Sequence, residues 1–145
     1  MAFKFSLATV LRVRAIVETR EEGILQKILF DIAKVFDDLE RTDAQLGQAE
    51  ASRHADALKP SIGLQIQAAY GEMKELKQRR KDLEGQIEQL EKARDMQLVV
   101  YEAAHRDHEM LSEMREKKKA AYESEINKRE QSVLDDNYIA RRGRV

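Results

Sequence analysis

The residues of this chain best suited to chemistry lie in one short stretch, Glu102, His105, His108 and Glu109. A carboxylate three residues before an imidazole puts both groups on one helix face, and carboxylate-bridged di-metal bundles use this Glu-x-x-His spacing. Such centres also draw ligands from opposing helices. The stretch that would face this one, Val13 to Glu21, supplies carboxylates but no histidine, which falls short of the ligand set a metal needs. No metal is expected, and the two histidines read as polar members of a loosened helical seam. His54 reads as a solvated surface residue.

Other chemistries lack their parts. The absence of cysteine removes disulfides, thiol catalysis and cysteine zinc sites together. There is no glycine-rich phosphate loop with its lysine, no nucleophile elbow and no catalytic triad, so neither enzymatic activity nor a cofactor is expected. With 26 basic and 27 acidic residues the net charge is -1, which gives no electrostatic ground for nucleic-acid binding. The run Arg115, Glu116, Lys117, Lys118, Lys119 is interleaved with and flanked by acids, Glu113, Glu123 and Glu125 among them, and reads as a solvated face. No apolar run approaches the roughly 20 residues that span a bilayer, and no signal-peptide core opens the chain. The expectation is a soluble, cytoplasmic protein.

The elements that position these residues are read from one break. Pro60 is the only proline, and with Ser61 and Gly63 it interrupts two long helical stretches. Before the break, Leu25, Ile28, Ile32, Val35, Leu39, Leu46 and Ala49 follow the three-and-four spacing of a coiled-coil seam, and after it Met73, Leu76, Leu83, Ile87 and Leu90 do the same. Antiparallel partners have residue numbers with a constant sum. Leu46 with Leu76, Leu39 with Leu83, Val35 with Ile87 and Ile32 with Leu90 all sum to 122, whose half, 61, is the serine of the break.

Breaker and seam therefore predict one fold: an all-α, antiparallel two-helix coiled-coil hairpin with a longer, overhanging C-terminal helix. It forms a single elongated domain over residues 1–145, with arm one about 6–58, the bend at 59–63, arm two about 64–140 and a basic tail at 141–145. The chain is 37% charged and 6% aromatic, enough to bury a thin seam and no thick core.

Ser6 is the expected N-cap of arm one, with Phe5 stapled against Val10, and the arm spans about 80 Å. Its apolar face continues upstream as Leu7, Leu11, Val17 and Ile24, but the strict heptad is lost around Arg14 to Glu21, where the arm is expected to be less tightly wound. Gly23 and Gly47 are read as tolerated interior glycines. On arm two the eleven-residue spacings from Leu90 to Tyr101 and from Leu111 to Tyr122 relax the supercoil. Arg80 and Arg94 hold seam positions opposite Thr42 and Ile28, laying their stems on the seam with the charges turned outward, or else pinning the register.

The same sum sets Leu7 against Arg115, so residues after about Lys117 have no partner from arm one. That overhang carries Tyr122, Ile126, Val133, Leu134, Tyr138 and Ile139. A lone helix of such length is marginal in water unless something packs on it.

Both ends of the chain carry a resemblance. The start, Phe3-Lys4-Phe5-Ser6-Leu7 followed by Val10-Leu11-Arg12-Val13-Arg14, and the end, Lys128-Arg129-Glu130-Gln131 through Leu134-Asp135-Asp136 to Arg141-Arg142, resemble the terminal signatures of the FliJ family. These are soluble stalk proteins of the bacterial flagellar type III export apparatus. The family often has Asp-Glu at Asp135-Asp136 and a phenylalanine where Met73 stands.

The resemblance implies an antiparallel two-helix coiled coil whose terminal end enters the hexameric export ATPase FliI. It also implies contact with the membrane-embedded export gate protein FlhA and a link to export chaperones. Carried over, the ATPase-facing residues are Phe5, Leu7, Val10, Leu11 and Arg14 with Gln131, Leu134, Asp135, Arg141 and Arg142. The gate-facing residues are Leu39, Leu46, Tyr70, Met73 and Leu76. The implied protein is a monomer when isolated, cytoplasmic and peripheral to the gate. Two other classes remain open: a tethering coiled coil that homo-oligomerises, and a stalk subunit of a rotary ATPase.

Overall fold

The computed structural model describes residues 2–56 and 63–143. They form two α-helices, α1 (Ala8–Asp56) and the longer α2 (Gly63–Arg142), with no strand among the described residues. The fold is an all-α, antiparallel two-helix hairpin. Pro60 and Ser61, where the bend is expected, lie outside the described residues, and Gly63 is the first residue of α2. The helices contribute to two packed units, one comprising residues up to Glu21 with those from Tyr101 onward, the other Glu22–Val100.

In the Glu22–Val100 unit the heptad pattern decides burial. Ile32, Leu46, Met73, Leu83 and Ile87 are only 6–8% exposed, and each occupies an expected seam position. Leu25, Ile28, Val35, Leu39, Leu76 and Leu90 are half-buried around them. The antiparallel register is fixed by polar contacts as well. Arg80 Nε lies 3.1 Å from Asp43 Oδ1, and Arg53 donates a hydrogen bond to the Tyr70 hydroxyl; both pairs sum to within one of 122.

Thr42, opposite Arg80, is 2% exposed and the most deeply buried side chain described. Its hydroxyl donates to the Asp38 carbonyl at 2.8 Å, which removes the cost of an unmet donor. Arg80 combines both expected roles, since its side chain is half exposed while its guanidinium joins Asp43 across the seam and Glu84 one turn on. Arg94 turns its charge outward onto Asp95.

A Cβ added at Gly23 or Gly47 meets nothing within 4 Å, so neither glycine serves a close approach. Gly23→Ala and Gly47→Ala should each stabilise the protein by about 0.5–1 kcal/mol, read as a higher urea midpoint at unchanged slope.

The other unit corrects several expectations. Ser6 is not the N-cap: residues Phe5 to Ala8 form a turn closed by Ala8 N–H to the Phe5 carbonyl at 3.1 Å, and Leu7 accepts the first helical bond from Leu11 at 2.9 Å. Phe5 is buried whereas Val10 stays exposed. The Phe5 ring packs on α2 with the Lys118 ammonium 5.7 Å from its centroid, within cation–π range.

Between Arg14 and Glu21 the heptad weakens at Arg14, which is exposed, and Val17 is half-buried on the continuing apolar face. Buried and half-buried positions continue through Leu25, Glu21, Glu18, Leu11 and Leu7, with carboxylates inside while Ile24 faces out at 42% exposure. On α2 the spacing from Leu90 runs Arg94, Gln97, Tyr101, Ala104, His108, Leu111 and Arg115 without interruption. Beyond Arg115 it shifts by one residue to Lys119, Tyr122 and Ile126.

The overhang also begins later than Lys117. The segment before α1 reaches further along α2 than the sum of 122 allows, placing the Phe3 ring 5.6 Å from that of Tyr122. Ile126 is half-buried, and from Asn127 to Gly143 every residue is exposed. The helix continues through Arg141 and Arg142, so these arginines are not a separate tail.

Candidate partner-binding surfaces

Three places combine chemistry with defined geometry. The first is the polar section of the seam. Heptad spacing brings Glu18 inward from α1, and α2 supplies His105 and His108 one turn apart. His105 Nδ1 lies 2.8 Å from Glu18 Oε1, and His108 Nδ1 lies 2.5 Å from Glu18 Oε2. His105 Nε2 is 3.5 Å from Glu109, the Tyr101 ring stacks on His105, and Arg14 reaches Asp107 at 3.5 Å. One carboxylate thus receives two imidazoles across the seam. Among the described residues no group of three or more His, Cys, Asp or Glu is arranged to hold a metal ion. The arrangement serves register, because a slip of either helix would strand Glu18 away from both rings.

The hydrogen bond with His105 holds the Glu18 carboxyl below its ordinary value of 4.5, against the upward push of burial, with the His108 and His105 charges adding to the lowering. A folded value below the unfolded one means the carboxylate's stabilisation is complete above the unfolded value and disappears as pH falls through the folded one. The difference in urea midpoint between the parent and Glu18→Gln should therefore be present in full well above the ordinary value of 4.5 and shrink as pH is lowered below it.

The second place lies toward the hairpin end. Arg53 sits with its guanidinium carbon 3.8 Å from the centroid of the Tyr70 ring, a contact that joins α1 to α2. Of the residues assigned to the gate, only Tyr70 is exposed. Leu46 and Met73 are buried, and Leu39 and Leu76 are half-buried. The seam consumes these four, as their heptad positions already dictate, so their side chains do not form a free docking face.

The third place is the C-terminal part of α2. Val133, Leu134, Tyr138 and Ile139 are 57–67% exposed, and Gln131 donates to Asp135 at 3.3 Å. Of the residues assigned to the ATPase, Val10, Arg14, Gln131, Leu134, Asp135, Arg141 and Arg142 are exposed, Leu7 and Leu11 are half-buried, and Phe5 is buried. Phe5 instead anchors the start of the chain against α2, which brings both terminal signatures into one unit. Sequence reasoning missed the Phe3–Tyr122 contact, whose one signal is an aromatic pair left over by the seam. No helix among the described residues is long and apolar enough to cross a membrane. Against protein-family models, curated proteins and solved structures, this chain finds no match.

Proposed function

We propose that this chain is a non-enzymatic stalk of the FliJ type. In this reading its exposed C-terminal helix enters the FliI hexamer of a flagellar export apparatus, and the hairpin end, with Tyr70, is turned toward the gate protein FlhA and export chaperones. The observation that carries the reading is the distribution of apolar groups after Asn127. At about 100° per residue, Leu134, Tyr138 and Ile139 lie about 100°, 140° and 240° around the helix from Val133.

Apolar side chains on several sides suit an enclosing protein channel, whereas a single docking helix would cover one stripe. The surrounding charges are mixed, with Lys128, Arg129, Arg141 and Arg142 against Glu130, Asp135 and Asp136, which keeps such a helix in water until a partner covers it. A lone stalk within a sixfold ring touches its subunits unequally. That asymmetry couples nucleotide state to stalk position through differential contacts.

Deleting residues 128–145 tests this. The Phe3–Tyr122 contact and the seam stay in place, so the variant should keep its cooperative unfolding yet no longer stimulate ATP hydrolysis by FliI. Retained stimulation contradicts the reading. So does a dimer in sedimentation of the full chain that the deletion dissolves, which would assign the segment to self-association.

A further inference from the structure

We infer that one flank of the Glu22–Val100 unit is a docking groove for a basic amphipathic helix of a partner protein. In an antiparallel pair, the rows next to the seam on one side of α1 meet the corresponding rows of α2 on that same side. On α1 these rows carry Glu22, Gln26, Leu29, Ala33, Phe36 and Glu40. On α2 they carry Glu84, Glu88, Glu91, Asp95 and Leu98.

Leu29, Phe36 and Leu98 are 40–48% exposed, and Phe30 beside them is 69% exposed. These groups lie outside the seam, so the hairpin's own packing does not account for them. An exposed apolar strip rimmed by polar residues marks an interaction surface.

The charges say what covers the strip. Within Glu22–Glu40 of α1 and Glu84–Leu98 of α2 these rows hold six carboxylates and no lysine or arginine; Lys81 continues the Glu88 row just beyond that stretch. Arg80, Lys92 and Arg94 reach in to pair with Glu84, Glu88 and Asp95. Glu22, Glu40 and Glu91 have no cation within ion-pair distance among the described residues, although Gln26 donates to Glu22. The opposite flank is mixed, with Lys27 and Lys34 against Asp31, Asp38 and Asp82.

A helix presenting leucines at three-and-four spacing, bordered by lysine or arginine, satisfies both the apolar strip and its acidic margins. A second copy of this face would set six carboxylates against six. From Glu22 to Glu40 the groove runs about 27 Å, the length of about 18 helical residues.

The test uses the full chain and a fluorescent 18-residue helical peptide of leucine and lysine with that spacing, beside its leucine and glutamate counterpart. The lysine peptide should bind. Leu29→Ser with Phe36→Ser should weaken it by about tenfold or more, as should Glu22→Lys with Glu91→Lys, while Ile24→Ser with Met96→Ser on the opposite flank should leave it unchanged.

Equal binding of the glutamate peptide overturns the inference. Indifference to both groove pairs, or equal loss from the opposite-flank pair, does the same. Self-association of the chain that the groove pair abolishes would assign the face to a second copy and overturn it too. If the serine pair loses helix content, the charge-reversal pair, at exposed Glu22 and half-buried Glu91, carries the test alone.

Discussion

Leu83→Ala should lower the unfolding free energy by about 2–4 kcal/mol, the largest loss expected from a single truncation in the Glu22–Val100 unit. Leu83 is 7% exposed, and the register places it against Leu39. A two-helix seam has no second layer to close over the lost methyl groups, so the transfer cost is joined by a cavity. Phe30 is the discriminating control. It is larger than leucine but 69% exposed, and Phe30→Ala should shift stability by no more than about 0.5 kcal/mol. Urea titration followed by helical circular dichroism compares the two. Equal effects would show that burial in the seam does not hold the helices together.

Phe5→Ala is expected to cost about 2–3 kcal/mol, below the usual range for a buried phenylalanine because the chain end can relax. The distribution of the effect is more informative than its size. Phe5 closes the turn that starts α1 and packs near Lys118, with Phe3 against Tyr122 two residues earlier. Losing the anchor should therefore raise amide exchange in Leu7–Val17 and around Tyr122, while amides of Ile32–Leu46 keep their protection. Uniform deprotection along α1 would mean that the two units do not open separately.

Much of this fold is legible in the sequence because two signals of different origin agree. The heptads of Leu25–Ala49 and Met73–Leu90 specify a seam, and the proline region specifies a reversal at half their constant sum. Arg80 with Asp43, and Arg53 with Tyr70, respect that sum to within one residue.

Legibility fails where local hydrophobicity and register disagree. Following apolar residues upstream of Leu25 selects Val17 and Ile24, yet Ile24 is exposed and Glu18 and Glu21 share the inward side with Val17. The helices are already phased by the stronger heptads beyond them, so a short stretch cannot rotate alone. The carboxylate of Glu18 is compensated by His105 and His108, which converts an apparent metal motif into a registering contact.

Chain before the first helix has no period to read. The unused aromatic pair Phe3 and Tyr122 is the one sign that this segment covers α2 and shortens the free part to Asn127–Gly143. At the proposed surfaces the pattern was more informative than the motif. Heptad position alone places Leu46 and Met73 inside, and the same count leaves Leu29, Phe36 and Leu98 on the flank.

The most direct measurement of the register uses the absence of native cysteine. One nitroxide is fixed at Arg41 and a second is moved among Lys74, Lys81 and Glu88, three exposed positions seven residues apart on one row of α2. Pulsed dipolar spectroscopy, with labelled chains diluted in unlabelled ones, should give the shortest distance at Lys81, with both neighbours displaced by about 10 Å along the helix. A minimum at Lys74 or Glu88 would contradict the antiparallel register, as would distances that vanish on dilution.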